Sequence, residues 1–286
     1  MKDFNGKVAA ITGAGSGIGR ALAEDLASRG CHLALSDVNE EGLAETVLRC
    51  ERQGVRVTPS RLDVADRDAV YAWASDVVEQ HGTVNLLVNN AGVALAASAI
   101  GQSADDFKWL MDINFWGVVN GTQAFLPHLR DAGDGHVVNI SSVFGLVSIP
   151  SQSAYNASKF GVRGYTDALR MELEIDPCGV SCTTIHPGGI KTNIARSART
   201  DESVIAIGGD ADVQAAADQF DKLAISTPEK AAQQILRAVE RNRRRALIGP
   251  DAKLVDLVSR LPACFYQRGL VWMSRRERAK KAQNAT

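Results

Sequence analysis

A chain of 286 residues that is 45% hydrophobic and 23% charged can bury a large core, which excludes collagenous, disordered and disulfide-stapled classes. A formal net charge of -1 supplies no overall field for nucleic acid, so no nucleic-acid partner is expected. The cysteines Cys31, Cys50, Cys178, Cys182 and Cys264 never form a CxxC pair, and the apolar stretch after Met1 is too short for a signal or a membrane span, so a reduced, cytoplasmic setting is expected.

In chain order, strand-length runs rich in Val, Ile and Leu occur at residues 7–12, 31–36, 55–60, 86–89, 136–140, 180–185 and 246–248. Between them apolar residues fall at helical spacing, as in Ala21, Leu22 and Leu26, then Leu43, Val47 and Leu48. This alternation predicts an α/β fold, a Rossmann-like doubly wound parallel sheet of about seven strands with helices on both faces. No repeat or linker divides the chain. Residues 1–250 read as one nucleotide-binding catalytic domain and 251–286 as a C-terminal helical extension with a basic tail. Residues 192–226 interrupt the alternation with Ala, Asp and the Gly208-Gly209 pair, and are expected to form a mobile insertion rather than a strand, placed as a lid.

The first strand runs into Thr12-Gly13-Ala14-Gly15-Ser16-Gly17-Ile18-Gly19, and a helix opens directly after it. Glycines let the backbone approach a pyrophosphate closely, and the exposed N–H groups of the helix start favour an anion. The second strand ends in Ser36-Asp37, where a carboxylate accepts hydrogen bonds from a ribose 2′-OH and repels a 2′-phosphate. NAD is therefore favoured over NADP. The competing reading of Asp37 is a helix N-cap for the segment beginning at Glu40.

Tyr155 and Lys159 stand at i and i+4 in a helical stretch and share a face. A phenol is a poor base at neutral pH until a nearby cation stabilises the phenolate, and lowering its pKa by about three units takes roughly 4 kcal/mol. Lys159 is the candidate cation. Just upstream, the run 137–140 ends in Ser141-Ser142, so the Ser142 hydroxyl is expected at the carboxyl end of a parallel strand, where ligands bind; its alternative role is a turn or cap. Asn114, a polar residue inside an apolar helix, suggests a purpose or a satisfied core amide.

Taken together, the glycine loop, Asp63-Val64, Asn89-Asn90-Ala91-Gly92, Asn114, Ser142, Tyr155 with Lys159, and Pro187-Gly188 followed by Thr192 resemble the single-domain short-chain dehydrogenase/reductase family from residue 6 to about residue 248. The resemblance implies an NAD(P)-dependent oxidoreductase that moves a hydride between nicotinamide and a secondary alcohol or ketone, with Tyr155 as general acid/base and Asn114, Ser142 and Lys159 completing the catalytic set. It implies that Gly13, Ser16, Gly17, Ile18 and Gly19 hold the pyrophosphate and that Asp63 and Val64 meet the adenine. Asn90, Ala91 and Gly92 would line the cofactor edge, with Tyr155 and Lys159 beside it, and Pro187, Gly188, Ile190 and Thr192 would hold the carboxamide end. Asn114 would hold a water that links Lys159 to solvent. A homodimer or homotetramer through the helices bearing Asn114 and Tyr155 is implied in the same way; no metal is. Asn85, where the family commonly has Asp, and the second glycine, Gly189, depart from the pattern.

Residues 93–98, 143–152 and the 192–226 lid are mostly small and apolar, which suggests a hydrophobic substrate. His186 reads as a packed strand-end residue rather than a catalyst. In the tail, Leu254, Val255, Leu257, Val258, Leu261, Phe265, Tyr266, Leu270, Val271, Trp272 and Met273 precede Arg275, Arg276, Arg278, Lys280 and Lys281. The favoured reading is a helix pair packed on the substrate pocket or a neighbouring subunit; the alternative is peripheral contact with an anionic membrane. A nucleotide-binding regulator or scaffold with little turnover is the alternative function.

Overall fold

The computed structural model describes residues 1–207, 209 and 211–284; Gly208 of the anticipated lid and the side chains of Lys280 and Lys281 lie outside the described residues. Seven strands form one all-parallel sheet: Val8–Thr12 (β1), His32–Asp37 (β2), Val57–Arg61 (β3), Leu86–Asn89 (β4), Gly135–Ile140 (β6), Val180–Pro187 (β7) and Arg245–Ile248 (β9), in the order β3-β2-β1-β4-β6-β7-β9. Leu95–Ala96 (β5) and Arg199–Thr200 (β8) form a separate two-stranded parallel pair. The central strands are buried on both faces, which is why they read as continuous apolar runs rather than alternating ones.

Along β1 the side chains part by twos. Ala9 and Ile11 join Leu33 and Leu35 under helices Gly17–Ser28 (α1) and Pro228–Glu240 (α8), packing on Leu22, Leu26, Ile235 and Leu236. On the other face Val8 and Ala10 join Leu87 and Val137 under Arg67–His81 (α3), Gly117–Asp131 (α5) and Ser153–Ile175 (α6). There Trp73 meets Phe125 edge-on, with ring centroids 5.1 Å apart. Strand order reverses between β1 and β4, and a doubly wound sheet opens its ligand crevice at the carboxyl ends of such a pair.

Two segments differ from expectation. Residues 192–226 contain β8, a 3₁₀ turn over Glu202–Ile207 and a helix at Val213–Leu223 (α7), where a strandless insertion was predicted. Asp212 caps α7 by accepting from the N–H groups of Gln214 and Ala215, and Arg196 ties the helix back through Asp218 and Asp221. The Ala-rich stretch that looked like loop composition is a good helix former once capped. The extension forms Pro250–Ser259 (α9) and Ala263–Asn284 (α10). Half-buried Tyr266 approaches the Ser148 N–H at 3.4 Å, and α10 lies on the Glu202–Ile207 turn, yet Leu254, Leu257, Leu261, Phe265, Val271, Trp272 and Met273 stay exposed instead of packing.

Candidate active site

The chain leaves β1 through two left-handed glycines, Gly13 (φ 66°) and Gly17 (φ 53°). A Cβ on Gly13 would lie 2.8 Å from the Ala91 Cα, and one on Gly19 would lie 2.1 Å from the Gly13 carbonyl oxygen, so the loop closes this tightly only with glycine. Ser16 is the N-cap of α1 but makes no capping bond with its side chain, the first turn holds no acidic residue, and half-buried Ile18 packs onto the core. The positive end of α1 therefore faces the crevice uncompensated. Across the crevice, a Cβ on Gly17 would meet the Thr192 methyl at 3.1 Å, so the nucleotide loop and the Pro187–Thr192 side approach each other closely.

Asp37 belongs to this loop and caps no helix. Its Oδ2 accepts from the Gly15 N–H at 2.8 Å and its Oδ1 from the Asn39 N–H at 2.9 Å, while Asn39 caps Glu40–Glu51 (α2) by accepting from the Gly42 N–H. Arg20, which the motif reading passed over, holds the loop from behind by donating to the carbonyls of Gly15 and Gly42 and pairing with Glu45 at 2.8 Å. Asn90 donates from Nδ2 to the carbonyls of Thr12 and Gly13, both at 3.0 Å, and the Thr12 hydroxyl accepts from the N–H groups of Asn90 and Ala91. Thr12 is thus a second brace, legible only as the end of a strand. Asp63 accepts from the Ala65 N–H, turning the chain so that buried Val64 packs beside Gly117.

The polar set expected to do chemistry gathers where β4, β6 and α6 meet. The Ser142 hydroxyl accepts from the Phe144 N–H at 3.1 Å and also bonds the Tyr155 phenol, so it serves as a turn cap and faces the cleft. Phe144 lies edge-on to Tyr155 at 6.2 Å. Lys159 is 3% exposed; its Nζ lies 5.5 Å from the Tyr155 ring centroid and donates to the Ile140 carbonyl at 3.1 Å. Fully buried Asn114 sits in a π-helical turn, Asp112–Trp116, accepts from the Val93 N–H at 2.8 Å and donates to the Val93 carbonyl at 2.9 Å. A Cβ on Gly92 would lie 3.2 Å from the Asn114 Oδ1 and 3.6 Å from the Lys159 Nζ, which puts both groups at one point of the cleft wall.

Burial pushes the Lys159 ammonium down to about 8 and the Tyr155 phenol up to about 12, the Ser142 hydrogen bond opposing the latter. The phenol shift is opposite to the direction that the sequence reading asked of Lys159. Burial is the cause: desolvation of the phenolate outweighs the Ser142 hydrogen bond, while the ammonium is engaged with the Ile140 carbonyl. His186 is fully buried, its Nδ1 donates to the Ser142 carbonyl at 2.8 Å, and burial lowers it to about 4, so it is a neutral wedge under the Ser142 turn.

On the far wall the Gly188 N–H donates to the Ile248 carbonyl, and buried Ile190 bridges to Ser226. The Gly189 N–H donates to Asp251 Oδ2 at 2.5 Å, while Asp251 Oδ1 is buried with no hydrogen-bond partner among the described residues. Asp251 went unread because an Asp in the first turn of a helix signals a helix start and nothing about a loop far upstream. The wall toward α6 is apolar: Leu95, Ala97, Leu110 and Ala154 with Val93, Phe107, Trp109 and Tyr155. Helix Ala104–Met111 (α4) supplies Trp109, over which Arg199 of β8 stacks at 3.7 Å while pairing with Asp106. Among the described residues no cluster suited to a metal ion occurs, and no helix is long and apolar enough to cross a membrane.

The profile of the short chain dehydrogenase family matches residues 7–203. A putative oxidoreductase, SadH, from Mycobacterium tuberculosis is 49% identical over 94% of this chain and 95% of its own length. Among solved structures, a short-chain dehydrogenase/reductase from Burkholderia phymatum in complex with NAD is 36% identical, with a TM-score of 0.81 over 90% of this chain and 94% of its own. Carveol dehydrogenase from Mycobacterium avium, also in complex with NAD, is 25% identical, with a TM-score of 0.72 over 82% of this chain and 91% of its own. A parallel sheet reversing at β1 and β4, a glycine loop at the reversal and this extent of likeness have one explanation: the chain is an oxidoreductase of the short-chain dehydrogenase/reductase family.

Proposed function

We propose that this enzyme interconverts a hydrophobic secondary alcohol and its ketone with NAD, using Tyr155 as general acid/base. The observation that carries the reading is the meeting of Ser142, Tyr155, Lys159 and Asn114 on one wall of a crevice whose other end is the Gly13–Gly19 loop. When bound, the nicotinamide supplies a carbon that takes or gives the hydride. The protein manages the proton. Ser142 holds the substrate oxygen, and Tyr155 gives it a proton during reduction or takes one during oxidation. Lys159 sits close enough to favour the phenolate once a ligand or a bound water turns its Nζ from the Ile140 carbonyl, and Asn114 keeps the Gly92-Val93 turn open beside it.

Glycines at 13, 15, 17 and 19, the uncapped start of α1 and Asp37 suit a dinucleotide, with Gly13, Ser16, Gly17, Ile18 and Gly19 at the pyrophosphate and Asp63 and Val64 at the adenine. Asp37, already turned toward Gly15, suits a ribose diol and repels a 2′-phosphate, which favours NAD over NADP. Asn90, Ala91 and Gly92 flank the middle of that path, and Pro187, Gly188, Ile190 and Thr192 its carboxamide end. The apolar wall of Val93, Leu95, Phe107, Leu110 and Phe144 supports a hydrophobic substrate. Exposed Trp116, Phe160, Met171 and Ile175 on the turn before α5 and on α6 support a homodimer or homotetramer through those helices.

The test is fluorescence titration with NADH and NADPH, followed by turnover of hydrophobic secondary alcohols by wild type and Tyr155→Phe. Tighter NADH binding, with turnover lost in the variant and NADH affinity kept, is the expected outcome. Full turnover by Tyr155→Phe would remove the assignment of the acid/base.

A further inference from the structure

The extension carries its apolar side chains outward. Leu254 and Leu257 stand at i and i+3 on α9, Leu261 follows just past its end, and on α10 Phe265, Trp272 and Arg276 follow at i, i+7 and i+11 along one face. These side chains are open to solvent, Leu257 at 62%, Phe265 at 66% and Trp272 at 62%. A soluble surface rarely groups so many large apolar residues without a partner.

The exposed charges between residues 252 and 276 are all positive, with Glu277 and the exposed Glu202 of the neighbouring turn at the edge. Between residues 252 and 276 the only acidic residue is Asp256, which is buried and paired with Arg245 and Arg260. Lys253, Arg260, Arg268, Arg275 and Arg276 are all exposed, and the Arg276 guanidinium stacks over the Trp272 ring at 5.5 Å. Glu277 follows between Arg276 and Arg278. A second copy of this chain is a poor occupant, because a two-fold contact sets a patch against itself and would bring these cations together. A nucleic-acid backbone would use the cations and leave the leucines and aromatics wet. A bilayer with anionic headgroups takes both: acyl chains receive the apolar stripe, headgroups pair with the arginines, and Trp sits at the boundary.

We propose that the outer face of α9 and α10 docks on an anionic phospholipid bilayer. The face lies at the rim of the substrate cleft: α10 rests on the Glu202–Ile207 turn, where Ile205 and Ile207 are also exposed, and Tyr266 approaches Ser148 in the segment between Ser142 and Tyr155. Docking would open the apolar cleft toward the acyl region, so a lipid-dissolved alcohol or ketone reaches Tyr155 without crossing water. That consequence rests on the function proposed above; the docking does not.

The experiment reads binding alone. The full chain is sedimented with vesicles of phosphatidylcholine, with and without phosphatidylglycerol, and tryptophan emission of wild type is compared with Trp272→Phe. Expected results are binding to the anionic vesicles that weakens with salt, and a blue shift lost in Trp272→Phe. Arg275→Gln with Arg276→Gln should weaken anionic-vesicle binding about thirtyfold, about fivefold per cation. Leu257→Glu with Phe265→Glu should abolish binding while leaving NADH affinity and sedimentation coefficient unchanged. Absence of binding to either vesicle overturns the proposal. So does a smaller assembly for Leu257→Glu with Phe265→Glu, which assigns the face to a second copy, or binding of duplex DNA in preference to vesicles.

Discussion

Lys159 offers a test in which stability and chemistry pull apart. Its ammonium is 3% exposed and held near 8 against an ordinary value of 10.5, with burial as the cause. At about 1.4 kcal/mol per unit, the cofactor-free fold carries a penalty of about 3 kcal/mol for keeping this cation charged at pH 7. Lys159→Met removes the penalty together with the hydrogen bond to the Ile140 carbonyl, a charge-assisted bond that contributes about 1.5–3 kcal/mol. The variant should therefore match or exceed wild type by up to about 2 kcal/mol at pH 7 while losing turnover. The pH dependence is sharper. Because the folded pKa lies below the unfolded one, the unfolded chain holds more protons between about pH 8 and 10.5, and this residue makes wild type gain stability as pH rises through that window. The methionine variant lacks that gain, so its advantage should shrink by about 3 kcal/mol and become a deficit near pH 10. Urea denaturation of both proteins at fixed concentration from pH 7 to 10 reads the difference, in which the titrations of Cys31, Cys50 and Cys182 cancel. A gap that stays constant with pH would refute the reasoning, since the ammonium would then be solvated in the folded state.

Asp37→Ala removes the acceptor of the Gly15 N–H and the repulsion of a 2′-phosphate; the NADH-to-NADPH affinity ratio should fall at least about tenfold by fluorescence titration. Gly188→Ala would set a Cβ 2.1 Å from Asp251 Oδ2, and should weaken NADH binding at least about tenfold; adding Asp251→Gly should recover part of that loss, whereas additive losses would show that the two positions do not meet. Arg199→Ala frees β8 from Trp109 and Asp106, so the KM for a bulky alcohol should rise about fivefold with kcat little changed, as steady-state kinetics would show.

The sheet was legible because its strands are buried on both faces, and a run such as Leu86-Leu87-Val88 has no other use in a chain of alternating helices. The glycine loop and the Tyr155–Lys159 spacing were legible for a different reason, since each is a local pattern that a single turn or helix displays in full. What escaped is long-range. Two-residue strands such as β5 and β8 carry no period, and α7 is built from alanines and aspartates that also compose loops. The i, i+4 rule puts Lys159 on the face of Tyr155, but it does not say that the Nζ would turn to the Ile140 carbonyl, nor that burial would raise the phenol.

The second glycine of Pro187-Gly188-Gly189, a departure from the family pattern, acquires a reason from the extension. Asp251 fills the space a side chain at Gly188 would need and takes the N–H of Gly189, while Gly249, at φ 97°, turns the chain so that the carboxylate arrives there. A Cβ at Gly249 would itself meet Asp251 Oδ1 at 2.5 Å, so three glycines and one acid make a single packed unit. The residues past 250 are thereby tied to the loop proposed to hold the carboxamide, and through Tyr266 and the Glu202–Ile207 turn to the segments beside Tyr155. The outer face of α9 and α10 is joined by direct hydrogen bonds and packing to the Gly188-Gly189 loop, the Ser148 segment and the Glu202–Ile207 turn. The extension is thus structurally part of the cleft, even though residues 1–250 contain every residue assigned to the chemistry.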